Sequence, residues 1–385
     1  MKNSIETPPR HLICFSHLRW DFVFQRPQHL LSRFGKDINV YFFEEPIFDS
    51  DEKDYLNVSV RVENLRVVTP HLSKHKTERR QTVSALTALL TSFFKDAVLE
   101  EWTFWYYTPM AFEFSEKFKP KLTIYDCMDE LSAFKFAPKE LPGLEKKLMD
   151  RADLVFTGGH SLYEAKKDQH NNIFPFPSSI EKEHFAKARK QRREPEDQAS
   201  ISGPKLGFYG VIDERFDIEL IRGIAEQRPD WQLMLIGPVV KIDEASLPKY
   251  PNIHYLGQKS YDELPAYLSG WDIALIPFML NESTRYISPT KTPEYLAAGI
   301  PVVSTPIKDV IKPYGIKKLV SIATGVNEFI AAIDLELNKP QHKAWLTNVD
   351  QFLNTISWDD TYEEMRKQIC STLNANNNRT ISIAS

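Results

Sequence analysis

Residues 288–303 read Ser288-Pro289-Thr290-Lys291-Thr292-Pro293-Glu294-Tyr295-Leu296-Ala297-Ala298-Gly299-Ile300-Pro301-Val302-Val303. A helix beginning near Thr292 fits this stretch. Pro293 suits its first helical position, where a missing N–H costs nothing, and Gly299 suits its C-terminal cap. Val302 and Val303 then start a strand. The helix N-terminus offers N–H groups and the positive end of a dipole, and Lys291 adds a full charge, so a diphosphate fits there. Glu294, one turn in, can accept hydrogen bonds from the two hydroxyls of a ribose. The competing reading is plain surface chemistry, with Glu294 complementing the dipole and Lys291 solvated.

Working outward, strand and helix patterns alternate. Upstream lie strand 206–209, helix 218–227, strands 232–236 and 253–256, helix 262–269 and strand 273–276; downstream are helix 293–298, strand 302–304 and further helices. An earlier series begins at 11–16, where Leu12, Ile13, Cys14 and Phe15 suit a buried parallel strand. It continues with strands 38–43, 103–107, 122–125 and 154–157 and helices 26–34 and 82–99, Pro27 standing in the first turn of its helix. Two β/α series in 385 residues imply two doubly wound domains, each with its binding edge at the carboxyl ends of its strands. The expected division is 1–181 and 205–372, with the last helix packing back on the first domain. The charged segment 182–204 is expected to be a linker and 373–385 a flexible tail. The basic run Lys187, Arg189, Lys190, Arg192 and Arg193 reads as solvated surface, with contact to acidic lipid headgroups as the sharper alternative.

Bulk composition narrows the function classes. With 42% hydrophobic and 26% charged residues the chain is an ordinary globular protein, and a net charge of -4 argues against indiscriminate nucleic-acid binding. Cys14, Cys127 and Cys370 are few and widely spaced, which suggests neither a disulfide framework nor a zinc site. Met1 to Arg10 is polar, and no apolar run approaches the roughly 18 residues that span a bilayer. The expectation is a cytoplasmic protein, with attachment at the inner face of the cell membrane left open.

From Leu206 onward the chain resembles the GT-B glycosyltransferases, especially family 4 and related bacterial polysaccharide enzymes. Gly210 ends the first strand of this half and Gly237-Pro238 the second. Asn252-Ile253-His254-Tyr255-Leu256-Gly257 resembles the strand leading to the base-binding loop, and Asp272-Ile273-Ala274-Leu275-Ile276-Pro277 the strand before the donor loop. The run from Glu294 to Val303 resembles the family's most persistent motif. The first half resembles bacterial enzymes of surface-polysaccharide and teichuronic-acid synthesis. The matching segments are Ser16-His17-Leu18-Arg19-Trp20-Asp21-Phe22, Gln25-Arg26-Pro27-Gln28-His29-Leu30, Tyr125-Asp126-Cys127-Met128-Asp129-Glu130 and Phe176-Pro177-Ser178-Ser179-Ile180.

This resemblance implies an α/β protein of GT-B architecture, with two Rossmann-like domains facing a central cleft. It implies transfer of a sugar from a nucleotide diphosphate-sugar, a UDP- or GDP-sugar, to a hydroxyl of a surface polysaccharide or lipid-linked saccharide, with no cofactor or metal. The implied donor site is Gly210, Arg215, Gly257, Ser288, Pro289, Thr290, Lys291 and Glu294. Two positions depart from the family. Tyr286 stands where a glutamate is usual, eight residues before Glu294, and Val211 follows Gly210 where a basic pair is usual. Arg215 either supplies that charge or pairs with Asp213 or Glu214.

Transfer needs the leaving diphosphate stabilised and, on an inverting course, a base for the acceptor hydroxyl. Asp126 is the preferred base, then Asp21, with Asp129 beside them; the structural competitors are capping of the following helix for Asp126 or Asp129, and pairing with Arg19 or Arg26 for Asp21. His17 and His29 rank lower. Asp126 and Asp129 are three apart and Asp49-Ser50-Asp51 sits in a polar loop, so no Asp-x-Asp metal motif stands out. Trp102, Trp105, Tyr106 and Tyr107 suit core packing better than sugar stacking. The apolar stripe Val83, Leu86, Leu89, Leu90 and Phe93 follows basic Lys74, Lys76, Arg79 and Arg80, and suits burial against a sheet better than a membrane surface. A non-hydrolysing nucleotide-sugar epimerase and a degenerate binding scaffold are the alternative functions. A dehydrogenase fares worse, because neither first βα turn carries G-x-G-x-x-G.

Overall fold

The computed structural model describes residues 9–76, 78–190, 193–339 and 342–384. Two sheets organise them. Across the second sheet the strands run Ile253–Gly257, Gln232–Ile236, Lys205–Tyr209, Ile273–Ile276, Val302–Ser304 and Ser321–Ile322, all parallel. In chain order this is 3-2-1-4-5-6, the doubly wound arrangement, and its switch point lies between Lys205–Tyr209 and Ile273–Ile276. Continuous apolar runs such as the fully buried Ile273–Ile276 make these strands, because helices cover both faces.

The first sheet follows the same plan on a wider base. Its order is Ile47–Ser50, Leu65–Ser73, Asn39–Phe43, His11–Phe15, Trp102–Tyr106, Leu122–Cys127, Leu154–Thr157 and Ile173–Pro175, with Tyr55–Val62 antiparallel to Leu65–Ser73. The switch point falls between His11–Phe15 and Trp102–Tyr106. The strands between residues 47 and 73 were not expected. Tyr55–Val62 alternates apolar Leu56, Val58, Val60 and Val62 with polar Asn57, Ser59 and Arg61, a period-two signal within reach, although Val58, Val60 and Val62 are exposed rather than packed on a core.

Two expectations about the connecting segments change. Residues 182–204 are not a free linker: helices Lys182–Ala186 and Glu196–Ala199 fold onto the second domain. Phe185 and Ala188 lie in its core, while Arg189 donates to the carbonyls of Leu296 and Ala297 and pairs with Asp350. Arg189 is thereby tied into the fold as a C-terminal cap, while Lys187 and Lys190 stay exposed; Gln191 and Arg192 lie outside the described residues. Nor do residues 373–384 form a tail, since helix Trp358–Ala384 continues through them. The helix returns to the first domain, burying Trp358, Tyr362, Met365, Ile369 and Leu373 with Leu12, Leu30 and Trp105, and Asn376 donates to Asp153. The stripe at Leu86 and Leu90 is buried on helix Arg79–Phe93 against the first sheet, and Trp102, Trp105, Tyr106 and Tyr107 are all core. Among the described residues no helix is long and apolar enough to cross a membrane.

Candidate active site

The carboxyl ends of both sheets open onto one cleft of about 1030 Å³. Its second-domain wall begins at the end of strand Lys205–Tyr209. Gly210 there has φ +138°, a left-handed conformation, and a Cβ on it would lie 2.2 Å from Lys291 Cε. The missing side chain is what lets the Lys291 stem cross the strand end. Helix Lys291–Ala298 starts earlier than the proline suggested, so Pro293 occupies its third position rather than its first, and Gly299 closes it at φ +82°.

Lys291 lies between the rings of Phe208 and Phe278, 5.7 and 5.9 Å from their centroids. Burial pushes its ammonium pKa down, and Glu294 pulls the other way. No carboxylate among the described residues comes within ion-pairing distance. Glu294 is buried and accepts a hydrogen bond from the Tyr209 hydroxyl. Burial raises its pKa to about 7, opposed by Tyr209 and Lys291. Ser288, Pro289 and Thr290 line the cleft beside them.

The other expected donor residues divide. Arg215 lines the cleft but is bound to Asp213 at 2.6 Å and lies over the Phe134 ring of the first domain, so the ion pair with Asp213 is the arrangement present. Gly257 does not line the cleft; its carbonyl accepts the Gly237 N–H at 2.9 Å, and the residues after it, Gln258, Lys259, Ser260 and Tyr261, form the wall. Tyr286, in the place of the usual glutamate, packs against the first domain's core.

Across the cleft the preferred base changes. Asp126 is fully buried and receives two hydrogen bonds from Arg26, 2.9 and 3.1 Å, in a bidentate pair. Burial raises its pKa while Arg26 opposes the shift. It does not line the cleft, so it is not placed to take a proton from an acceptor. Asp21 lines the mouth, two-thirds exposed and bound to Arg61 at 2.6 Å. Asp129 lines the interior. Burial raises its pKa to about 6, tempered by Arg215 and Arg26, and no hydrogen bond to another described residue holds its carboxylate. That is the state a general base requires. His17 also lines the cleft, its pKa lowered to about 4 by burial and by Lys241. His29 is stacked on Trp358 near Glu181, away from the cleft.

Sequence reasoning missed Tyr209, which anchors Glu294, and Lys241 and Phe134, which meet across the cleft at 5.7 Å. Tyr209 directly precedes Gly210 at a strand's carboxyl end, a signal within reach. Lys241 and Phe134 sit in loops with no pattern around them.

Comparison with known proteins follows this geometry. Residues 204–338 match the family model described as glycosyl transferases group 1. Over 289 residues, 70% of this chain and 67% of the relative, the chain is 27% identical to the putative teichuronic acid biosynthesis glycosyltransferase TuaH of Bacillus subtilis (strain 168). Among solved structures it is similar to sucrose-phosphate synthase from Thermosynechococcus elongatus, with a TM-score of 0.70 at 15% identity over 98% of this chain and 100% of that one. It is also similar to the Anabaena HepE protein in complex with UDP and glucose, with a TM-score of 0.65 at 13% identity over 94% and 99% of the two chains. These likenesses establish the GT-B fold.

Proposed function

We propose that this chain, a glycosyltransferase of the GT-B fold, moves a sugar from a nucleotide diphosphate-sugar to a hydroxyl of a surface-polysaccharide or lipid-linked saccharide acceptor. One observation carries the reading: a half-buried ammonium with no carboxylate partner among the described residues, Lys291, stands beside the buried carboxyl Glu294 on one wall of the cleft, and the unheld carboxylate Asp129 lies on the other. A cation partly withdrawn from water without a counter-charge is costly unless an anion joins it. A donor diphosphate is that anion, and the ribose hydroxyls then fall to Glu294.

In the reaction the acceptor oxygen bonds to the anomeric carbon as the bond from that carbon to the diphosphate breaks. Asp129 takes the acceptor proton. The electron pair leaves on the diphosphate, which Lys291 and the positive dipole end of helix Lys291–Ala298 stabilise without calling on a metal. On the first-domain wall Trp20, Phe22, Phe24, Phe134 and Phe136 offer aromatic faces suited to the apolar sides of sugar rings. The three free cysteines suit a reducing cytoplasm, where contact with the inner face of the membrane would bring a lipid-linked acceptor within reach.

Uridine diphosphate is the favoured nucleotide, since the similar HepE protein has been solved in complex with UDP and glucose. A thermal-shift panel of uridine, guanosine and adenosine diphosphates, followed by their sugar conjugates, tests the reading. One diphosphate should stabilise the fold by about 2.7 kcal/mol at a hundredfold excess over its Kd. A panel with no stabilising member sinks the proposal.

A further inference from the structure

Gly158 and Gly159 follow strand Leu154–Thr157 in the first domain and separate two loops of the cleft. On one side, a Cβ on Gly158 would lie 2.2 Å from the carbonyl oxygen of Met128, the residue before Asp129. On the other, a Cβ on Gly159 would lie 2.2 Å from Asp309 Oδ2 and 2.9 Å from Ser288 Cβ, both in the second domain. The Asp309 carboxylate cannot simply swing aside, because it is buried and its Oδ1 accepts the Ser161 N–H at 3.0 Å. Ser288 is fastened too, its carbonyl accepting the Ser178 hydroxyl at 2.8 Å. The backbone at Gly159 is extended, with φ −170° and ψ 167°, which any residue adopts. Glycine is required there by the approach of the other domain.

We infer that Gly158-Gly159 is a positioning element: the two domains close on it, and its thinness sets the spacing between the Asp129 loop and the donor loop at Ser288. The inference rests on the transferase reading of the cleft for its chemical consequence, and on contact geometry alone for the closure. A methyl at 159 meets Asp309 and Ser288 from across the cleft and so holds the domains apart, while Lys291 and Glu294 lie outside the contact. Misplacement of reacting groups by about 1 Å costs roughly 100-fold in rate.

The test compares the full-length wild type, Gly159→Ala, and Gly159→Ala in an Asp309→Ala background. Solution scattering with uridine diphosphate should show Gly159→Ala more extended than the wild type, and the double variant closer to it, since the carboxylate in the way is gone. Calorimetry should give Gly159→Ala the wild-type affinity for uridine diphosphate. Release of the diphosphate from UDP-glucose should show kcat down roughly 100-fold with KM unchanged. Equal dimensions and equal kcat in Gly159→Ala and wild type overturn the inference, as does a loss that persists in full in the double variant. Failure of every form to bind nucleotide would instead count against the transferase reading, while the scattering comparison would still decide whether the domains close on this contact.

Discussion

Replacing Lys291 with methionine separates a binding role from a structural one, because the two predict opposite signs. Methionine keeps the stem over Gly210 and the contact with Phe208 and Phe278 and removes only the charge. A charge pair about 4 Å apart at an effective dielectric near 20 is worth about 4 kcal/mol. Some of that is recovered by water and by the helix N–H groups that remain, leaving a loss of about 3 kcal/mol, or roughly 100-fold in Kd for uridine diphosphate. Without ligand the sign reverses. The wild-type ammonium is half-buried with its pKa pushed down and has no ion-pair partner among the described residues, so its removal should stabilise the free protein by about 1 kcal/mol. Isothermal calorimetry measures the first effect and urea unfolding without nucleotide the second. Unchanged affinity, or a free protein made less stable, would show that Lys291 answers to a partner inside the fold and refute the donor-site argument.

Asp129→Asn should leave uridine diphosphate affinity intact and lower transfer by roughly 10²–10⁴-fold. The wild-type rate should fall as pH drops through about 6, where the raised carboxyl takes up its proton and can no longer act as base; a pH profile of UDP-glucose turnover with that limb intact in Asp129→Asn would remove the assignment. Asp126→Asn should instead act on the fold, leaving Arg26 buried without its counter-charge at a cost of about 3–5 kcal/mol, read by urea unfolding. A variant as stable as the wild type but without transfer would return Asp126 to the chemistry.

How far the sequence carried depended on which forces were local. Buried parallel strands announce themselves as apolar runs, so those beginning near His11, Lys205 and Ile273 and the doubly wound order were within reach, as were Lys291 and Glu294 on one short helix. The proposed base was not, and the difference is one of strand length. Reading the strand as 122–125 put Asp126 at its open end. The strand runs to Cys127, so Asp126 is still inside the sheet, facing an arginine 100 residues away in sequence, and Asp129 is the carboxylate that clears the edge. Residues 182–204 misled in the opposite way. Their two core anchors, Phe185 and Ala188, are too sparse among charges to show a periodicity, and the neighbour they fold against is distant in sequence.

The exchange of glutamate for Tyr286 gains a physical meaning from the same contacts. The ring packs against the first domain's core, two residues before Ser288, which is itself bonded to Ser178 and lies against Gly159. A carboxylate at 286 would have to leave that apolar contact or be buried unpaired, at a cost of several kcal/mol. The tyrosine therefore provides an apolar fastening of the loop before Ser288 to the opposite domain. On the proposed function, sugar transfer would then lean on fewer charged groups, Lys291 and Glu294 on one wall and Asp129 on the other, and on how closely the two walls are held.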